Sequence, residues 1–241
     1  TPLWAPKDRV AKYQKKPKGK RHKNATYAAM VESVDLSVGR IMRRLEKLGL
    51  TKNTVVIFTS DNGGHGKITS HLPLRGNKGN FYEGGIRVPL IVKWPGVVKP
   101  TSTCNVPVIS TDYYPTLLAM TGQPARPRQH VDGRNLVPLL KQTGTVKRDA
   151  LYWHYPNYIG AGHPGGARPS GVVRSGDWKL IESFETNRLE LFNLKEDLGE
   201  QVNLAAKMPA KAKALQRQLA AWRASAKVQM PKRNPAYKPG E

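Results

Sequence analysis

Three side chains within one short stretch carry groups that can act together on a metal and an anion. In TSDNGGHGKITSHLPLRGNKGNFYEGGIRVP, Thr59 to Pro89, Asp61 supplies a carboxylate and Asn62 an amide oxygen just after an apolar run. Lys78 follows, set among glycines. Carboxylate and amide oxygens are ligands for hard divalent cations such as calcium and magnesium, which take about six or more donors. Two adjacent donors leave that shell unfilled, so a cation here needs ligands from elsewhere. Glycines let a backbone pass close to a ligand, and a lysine held among them suits a tetrahedral oxyanion whose charge grows in a transition state. Asp-Asn-Gly is also ordinary turn chemistry, and the residue types alone leave both readings open. The P-loop spacing is absent, and GAGHPG (Gly160 to Gly165) matches a dinucleotide fingerprint without the flanking strand and helix it needs.

The elements that must position these groups are legible around them. Val31, Val34, Val38, Ile41, Leu45 and Leu48 recur at three- and four-residue steps, which predicts a helix with one apolar face, capped at Gly49. Thr54 to Phe58 (TVVIF) then reads as a buried strand of an α/β sheet. Ligands in such sheets sit beyond the carboxyl ends of strands, where Asp61 and Asn62 lie. Gly85 to Trp94 reads as a second inner strand broken at Pro89, and Ser110 to Gly122 as a helix. Farther on, GVVRSGDWKLIESF predicts a hairpin and RLELFNL a third strand. Ala205 to Val228 is helical by composition and by the spacing of Leu215, Leu219 and Trp222. These readings divide the chain into residues 1–145, an α/β part, and 146–241, a small antiparallel sheet with a covering helix and a disordered tail.

Composition bounds the partners. The 241 residues carry 40 Lys+Arg against 17 Asp+Glu, a formal charge of +23, which favours anionic partners or a merely solvated basic surface. Residues 12–23, KYQKKPKGKRHK, hold seven of those cations and no acid, and read as a loop. No apolar run approaches the ~18 residues of a membrane span. Cys104 is the single cysteine, so no internal disulfide or cysteine-based zinc site can form, and a structural thiol is expected. Asn24-Ala25-Thr26 is formally a glycosylation sequon.

TVVIFTSDNGG followed by PLRGNKGNFYEGGIRVPLIVKWPG resembles the sulfatase family, hydrolases of sulfate esters with an alkaline-phosphatase-like α/β fold. STDYYPTLLAMTG, DGRNLVPLL, GVVRSGDWKLI and LELFNLKEDLGEQVNLA extend the resemblance over most of the chain up to about Val228. The resemblance implies that Asp61 and Asn62 ligate a divalent cation, calcium in this family, and that Lys78 touches the sulfate and stabilises the leaving oxygen. Arg75 and Glu83 are expected to pair with each other and shape the lysine loop. His154, His163 and His65 are candidates for substrate contact, with packing roles the alternative for the aromatic-flanked His154; His71 also flanks the loop.

The family's formylglycine nucleophile, made within Cys/Ser-x-Pro/Ala-x-Arg, has no counterpart here, since Cys104 is followed by Asn-Val-Pro-Val. The chain therefore reads as the C-terminal portion of a sulfatase, with negligible turnover alone and the formylglycine expected in an N-terminal part. The expected substrate is a sulfated small molecule or glycan, with no nucleic acid and no membrane span, in a periplasmic or secreted setting by family habit. Phosphate or phosphonate ester hydrolysis and non-catalytic polyanion binding stand as rival readings.

Overall fold

The computed structural model describes residues 2–158, 168–232 and 235. In chain order the elements are α1 (Lys7–Gln14), α2 (Ala25–Lys47), β1 (Val56–Thr59), the single turn α3 (Glu83–Ile86), β2 (Leu90–Lys93), α4 (Tyr113–Met120), α5 (Val137–Leu140), β3 (Leu151–Tyr155), β4 (Ser170–Ser175), β5 (Trp178–Ser183), β6 (Leu189–Asn193) and α6 (Pro209–Ser225). They fall into two compact units. The first comprises Thr1–Pro17, Asn24–Ser60 and Pro89–Arg148; the second comprises Lys18–Lys23, Asp61–Val88 and Asp149–Glu241. The whole stretch from Asp61 to Val88 thus groups with the C-terminal sheet.

In the first unit, α2 starts where the Asn24 side chain accepts the Tyr27 N–H at 2.8 Å, a cap that satisfies one of the orphan donors of a helix N-terminus. It ends as its sequence predicts. Gly49 takes φ +68°, its N–H donates to Glu46 and that of Leu50 donates to Leu45, both at 2.9 Å, a Schellman ending. Helix α1 packs on α2 through Arg9, which donates to Ser33 at 2.7 Å, and a Lys12–Glu32 ion pair. The first residues of the basic run, expected as loop, are therefore helical.

Two expectations for this unit fail. The apolar stripe of α2 is not buried among the described residues: Val31, Val34, Ile41 and Leu48 are each at least half exposed. Strand β1 is not fully buried either; among the described residues it pairs antiparallel with β2 alone, and Ile91 opposite Phe58 is 61% exposed. The pattern is apolar, but nothing described in this unit covers it. The run Gly85 to Trp94 also splits, because its start belongs to the helical turn α3 and strand pairing begins only after Pro89. The unit's internal anchor is Asp112, which is fully buried. It accepts backbone N–H groups of Ile109 at 2.9 Å and Arg134 at 2.8 Å and pairs with Arg148.

The second unit is built on a four-stranded antiparallel sheet in the order β3-β4-β5-β6. Gly176 at φ +57° makes the tight turn that sets Ser175 opposite Trp178. That register aligns Val173, Leu180 and Leu191 across three strands on one face. They pack under Ala212, Leu215 and Leu219 of α6 to form the core. Tyr152 of β3 stacks flat on Trp222 at 4.9 Å, extending that face to the edge strand. Period-two alternation sends Lys179, Arg174, Phe192 and Glu190 to the opposite face.

Leu219 is completely buried. Leu219→Ala is expected to lower unfolding stability by about 2–5 kcal/mol, the range for emptying a core leucine site; chemical denaturation checks it, and a loss below about 1 kcal/mol would place the core elsewhere.

Candidate active site

The face of the sheet turned away from α6 carries the stretch from Arg75 to Gly85. Tyr82 packs edge-on against Phe192 at 6.2 Å, and its hydroxyl donates to Glu190 at 2.6 Å. Burial and that carboxylate push the phenol up to about 12. Phe81 packs on Tyr155 of β3. Arg75 lies 3.9 Å over the Tyr82 ring and donates to the Glu200 carbonyl at 2.8 Å.

Beneath them is a buried charge cluster. Lys179 has no exposed surface, and its ammonium lies 2.9 Å from Glu83 and 2.9 Å from Glu200, both buried carboxylates. The Glu83 contact is a hydrogen bond; at Glu200 Oε1 the lysine is an ion-pair partner outside hydrogen-bond geometry. The Glu200 carboxylate instead accepts the backbone N–H of Glu83 at 2.6 Å. Arg174 at 3.5 Å and Arg87 at 3.8 Å add positive charge beside Glu83. Removing one partner from such a buried pair costs about 3–5 kcal/mol, because the other charge is left uncompensated. The expected Arg75–Glu83 pairing is therefore replaced: Glu83 pairs with Lys179, while Arg75 serves Glu200 and Tyr82.

This anchorage fixes the candidate groups through the backbone. Glu83 opens α3, and the next residue, Gly84, donates to the Arg75 carbonyl at 2.7 Å. Gly63, directly after Asn62, donates to the Gly85 carbonyl at 2.9 Å. Lys78 donates to the Gly64 carbonyl at 3.0 Å. A Cβ on Gly63 would collide with the Gly84 carbonyl oxygen, and one on Gly85 with that of Asn80. Only glycine lets these two backbones lie this close. The segments bearing Asp61, Asn62 and Lys78 are thus joined by two hydrogen bonds, with the Asp61 and Lys78 side chains exposed to solvent.

The other predicted residues land variously. His65 is exposed at the start of a turn, its Nδ1 accepting the Lys67 N–H at 3.3 Å. His71 is half-buried beside Gly64, and burial, with His22 adding to it, lowers its pKa. The His154 Nε2 lies 2.9 Å from the Gln229 carbonyl and its ring packs on Phe184, while the next residue, Tyr155, faces Phe81. His163 lies outside the described residues. Lys179 and Glu200 were missed by sequence reasoning, although one signal was present. A lysine sits inside the otherwise apolar strand run WKLI, which is a costly place for a charge without a buried partner.

Among the described residues, no cluster of three or more His, Cys, Asp or Glu side chains is placed to hold a metal. Asp61 and Asn62 are oxygen donors of the type calcium and magnesium take, so they fit such an ion as part of its shell.

Burial raises the Glu200 pKa above its ordinary value of 4.5, with Lys179 opposing. A raised folded-state pKa favours the protonated carboxyl in the fold. That contribution is complete below the ordinary glutamate value and is lost as pH rises through the raised one. Glu200→Gln removes the titration. The stability of the native protein minus that of the variant should therefore fall as pH rises above the ordinary glutamate value, read from denaturant midpoints; a difference that is flat or rising contradicts the assignment.

Comparison with known proteins gives this geometry a family. Residues 1–123 match the Sulfatase family, and residues 77–225 match the family described as N-sulphoglucosamine sulphohydrolase, C-terminal. A sulfatase from Formosa agariphila is 40% identical over 222 residues, covering 84% of this chain and 39% of that protein. The crystal structure of Ps i-CgsB in complex with k-i-k-neocarrahexaose superposes with a TM-score of 0.77 at 30% identity, covering 92% of this chain and 47% of that one. The structure of BT4656 in complex with its substrate D-glucosamine-2-N,6-O-disulfate gives 0.70 at 27% identity, covering 92% and 46%. The chain thus spans less than half the length of these relatives. By its family matches and its alkaline-phosphatase-like α/β architecture, the chain belongs to the sulfatase family.

Proposed function

We propose that these residues are the C-terminal part of a sulfuric ester hydrolase acting on sulfate monoesters of a carbohydrate or aryl alcohol. The observation that carries the reading is the pair of backbone hydrogen bonds, Gly63 to Gly85 and Lys78 to Gly64, which bind the Asp61-Asn62 segment to the lysine loop. An exposed carboxylate, an amide and an ammonium are thereby held on one glycine-tight scaffold, in a chain whose relatives are sulfatases.

In this reading Lys78 donates to a sulfate oxygen and offsets the negative charge that builds on the ester oxygen as the S–O bond breaks. Asp61 and Asn62 hold part of the shell of a divalent cation, calcium for preference. When bound, that ion draws charge from the sulfate oxygens. The formylglycine nucleophile comes from polypeptide outside these 241 residues, since no Cys/Ser-x-Pro/Ala-x-Arg occurs among them and Cys104 is an exposed thiol without the motif. The exposed apolar stripe of α2 supports the same reading, because a helix face of that size is ordinarily covered. Sulfated glycans are the favoured substrates, and a periplasmic or secreted setting is proposed. No helix among the described residues is long and apolar enough to cross a membrane.

Two substitutions in the full-length polypeptide test this. Lys78→Ala should lower kcat/KM on an aryl sulfate by about 10²–10³-fold, the loss seen when one preorganised oxyanion donor is removed; retention of activity within about threefold would remove Lys78 from the site. Asp61→Ala should raise the calcium concentration needed for half-maximal activity, and an unchanged calcium dependence would place the ion elsewhere.

A further inference from the structure

The basic run is not an appendage remote from the lysine loop. Lys18–Lys23 belongs to the same compact unit as Asp61–Val88. A His22 ring nitrogen lies 3.1 Å from the Thr69 hydroxyl. Thr69 in turn packs against Gly64: a Cβ there would sit 2.7 Å from the Thr69 methyl. The Gly64 carbonyl is the one that accepts the Lys78 N–H. One side-chain hydrogen bond, one packing contact and one backbone hydrogen bond therefore connect the basic segment to Lys78.

Four cations, Lys18, Lys20, Arg21 and Lys23, are exposed along this tether, with no acid between them. None of the four takes part in an ion pair among the described residues. Concentrating like charge at one place on a surface costs self-repulsion unless an anion is there to offset it. A single sulfate monoester presents its charge at the reacting sulfur, where Lys78 stands. Four further cations suit a ligand that carries more anions at a spacing along its length.

Resting on the sulfatase reading, we infer that Lys18–Lys23 is a binding subsite for the flanking anionic groups of a polysulfated polysaccharide whose terminal or internal sulfate ester is cleaved beside Lys78. The segment has no recognition fold for nucleic acid, and its tether leads to the candidate catalytic loop, so the glycan is the favoured polyanion. Attraction of this kind raises encounter rates and local substrate concentration, and it is screened over a Debye length of about 8 Å at physiological ionic strength.

The test compares the full-length protein with its quadruple variant Lys18→Ala, Lys20→Ala, Arg21→Ala, Lys23→Ala. Two readouts are taken: Kd for a polysulfated hexasaccharide by calorimetry, and kcat/KM for that hexasaccharide and for a monosulfated aryl ester. The variant should bind the hexasaccharide about tenfold or more weakly, with a flatter salt dependence. Its kcat/KM ratio, hexasaccharide over aryl ester, should fall similarly, through KM. An unchanged Kd, an equal loss on both esters, or a matching loss of affinity for duplex DNA would overturn the assignment. Failure of the unmodified protein to hydrolyse either ester while the Kd difference persists would overturn the sulfatase reading and leave the subsite standing.

Discussion

A lysine buried between two glutamates is the constraint on which the arrangement of the candidate site depends. Lys179 projects from the middle strand pair of the C-terminal sheet onto the face opposite α6, and it meets Glu83 and Glu200 without any solvent contact. Each ion taken from water costs several kcal/mol, so the cluster persists only if its members are closely placed and further bonded. They are. Glu200 receives the Glu83 N–H, and Arg174 stands at the edge of Glu83. Such a cluster tolerates little displacement, because a small shift trades ion-pair contacts for unpaired buried charge. It acts as a specifying device more than as a source of net stability.

What it specifies is a backbone path. With Glu83 fixed, α3 is fixed, and Gly84 and Gly85 present their N–H and C=O groups to Arg75 and Gly63. The glycines at 63, 84 and 85 allow contact distances that any side chain would prevent. Residues 75–85 then have little freedom to move Lys78 relative to the Asn62-Gly63-Gly64 segment. Tyr82 and Arg75 reinforce the same placement from above, bonded to Glu190 and to the Glu200 carbonyl. On the proposed reading, the Lys78 ammonium gains most from being held before the substrate arrives, since no reorganisation is then needed as charge develops. The C-terminal sheet is the platform for that rigidity, and its own core on the other face, Val173, Leu180 and Leu191 under α6, holds the platform together.

Much of this was legible in the sequence, for reasons that differ by element. Helix α2, its glycine ending and the β4–β5 turn follow from local rules: periodicity, a left-handed glycine and two-residue spacing. The resemblance implies that the Asp61-Asn62 segment and the Lys78 loop act together, and the backbone bonds Gly63 to Gly85 and Lys78 to Gly64 join those two segments. The buried cluster was not. Glu83, Lys179 and Glu200 are far apart in the chain, and each looks like an ordinary charged surface residue when read alone. Only the lysine inside WKLI hinted that a strand was burying charge. Strand β3 is not predicted, because LYWHY does not alternate polar with apolar; Tyr152 and Tyr155 pack on opposite sides of the sheet. The exposed stripe of α2 and the half-open β1–β2 pair show the other limit. An apolar pattern states that a face is to be covered and is silent about which segment covers it.

The central claim, that Lys179 holds the lysine loop, is tested most directly by amide hydrogen exchange in the Lys179→Met protein. Methionine keeps much of the side-chain length and removes the charge. The account predicts that the amides of Gly63, Lys78 and Gly84, whose bonds define the loop, lose protection while those of the β4–β5 ladder keep theirs. Protection of those three amides equal to that in the unsubstituted protein would contradict it, and would mean that the glycine contacts alone fix the site.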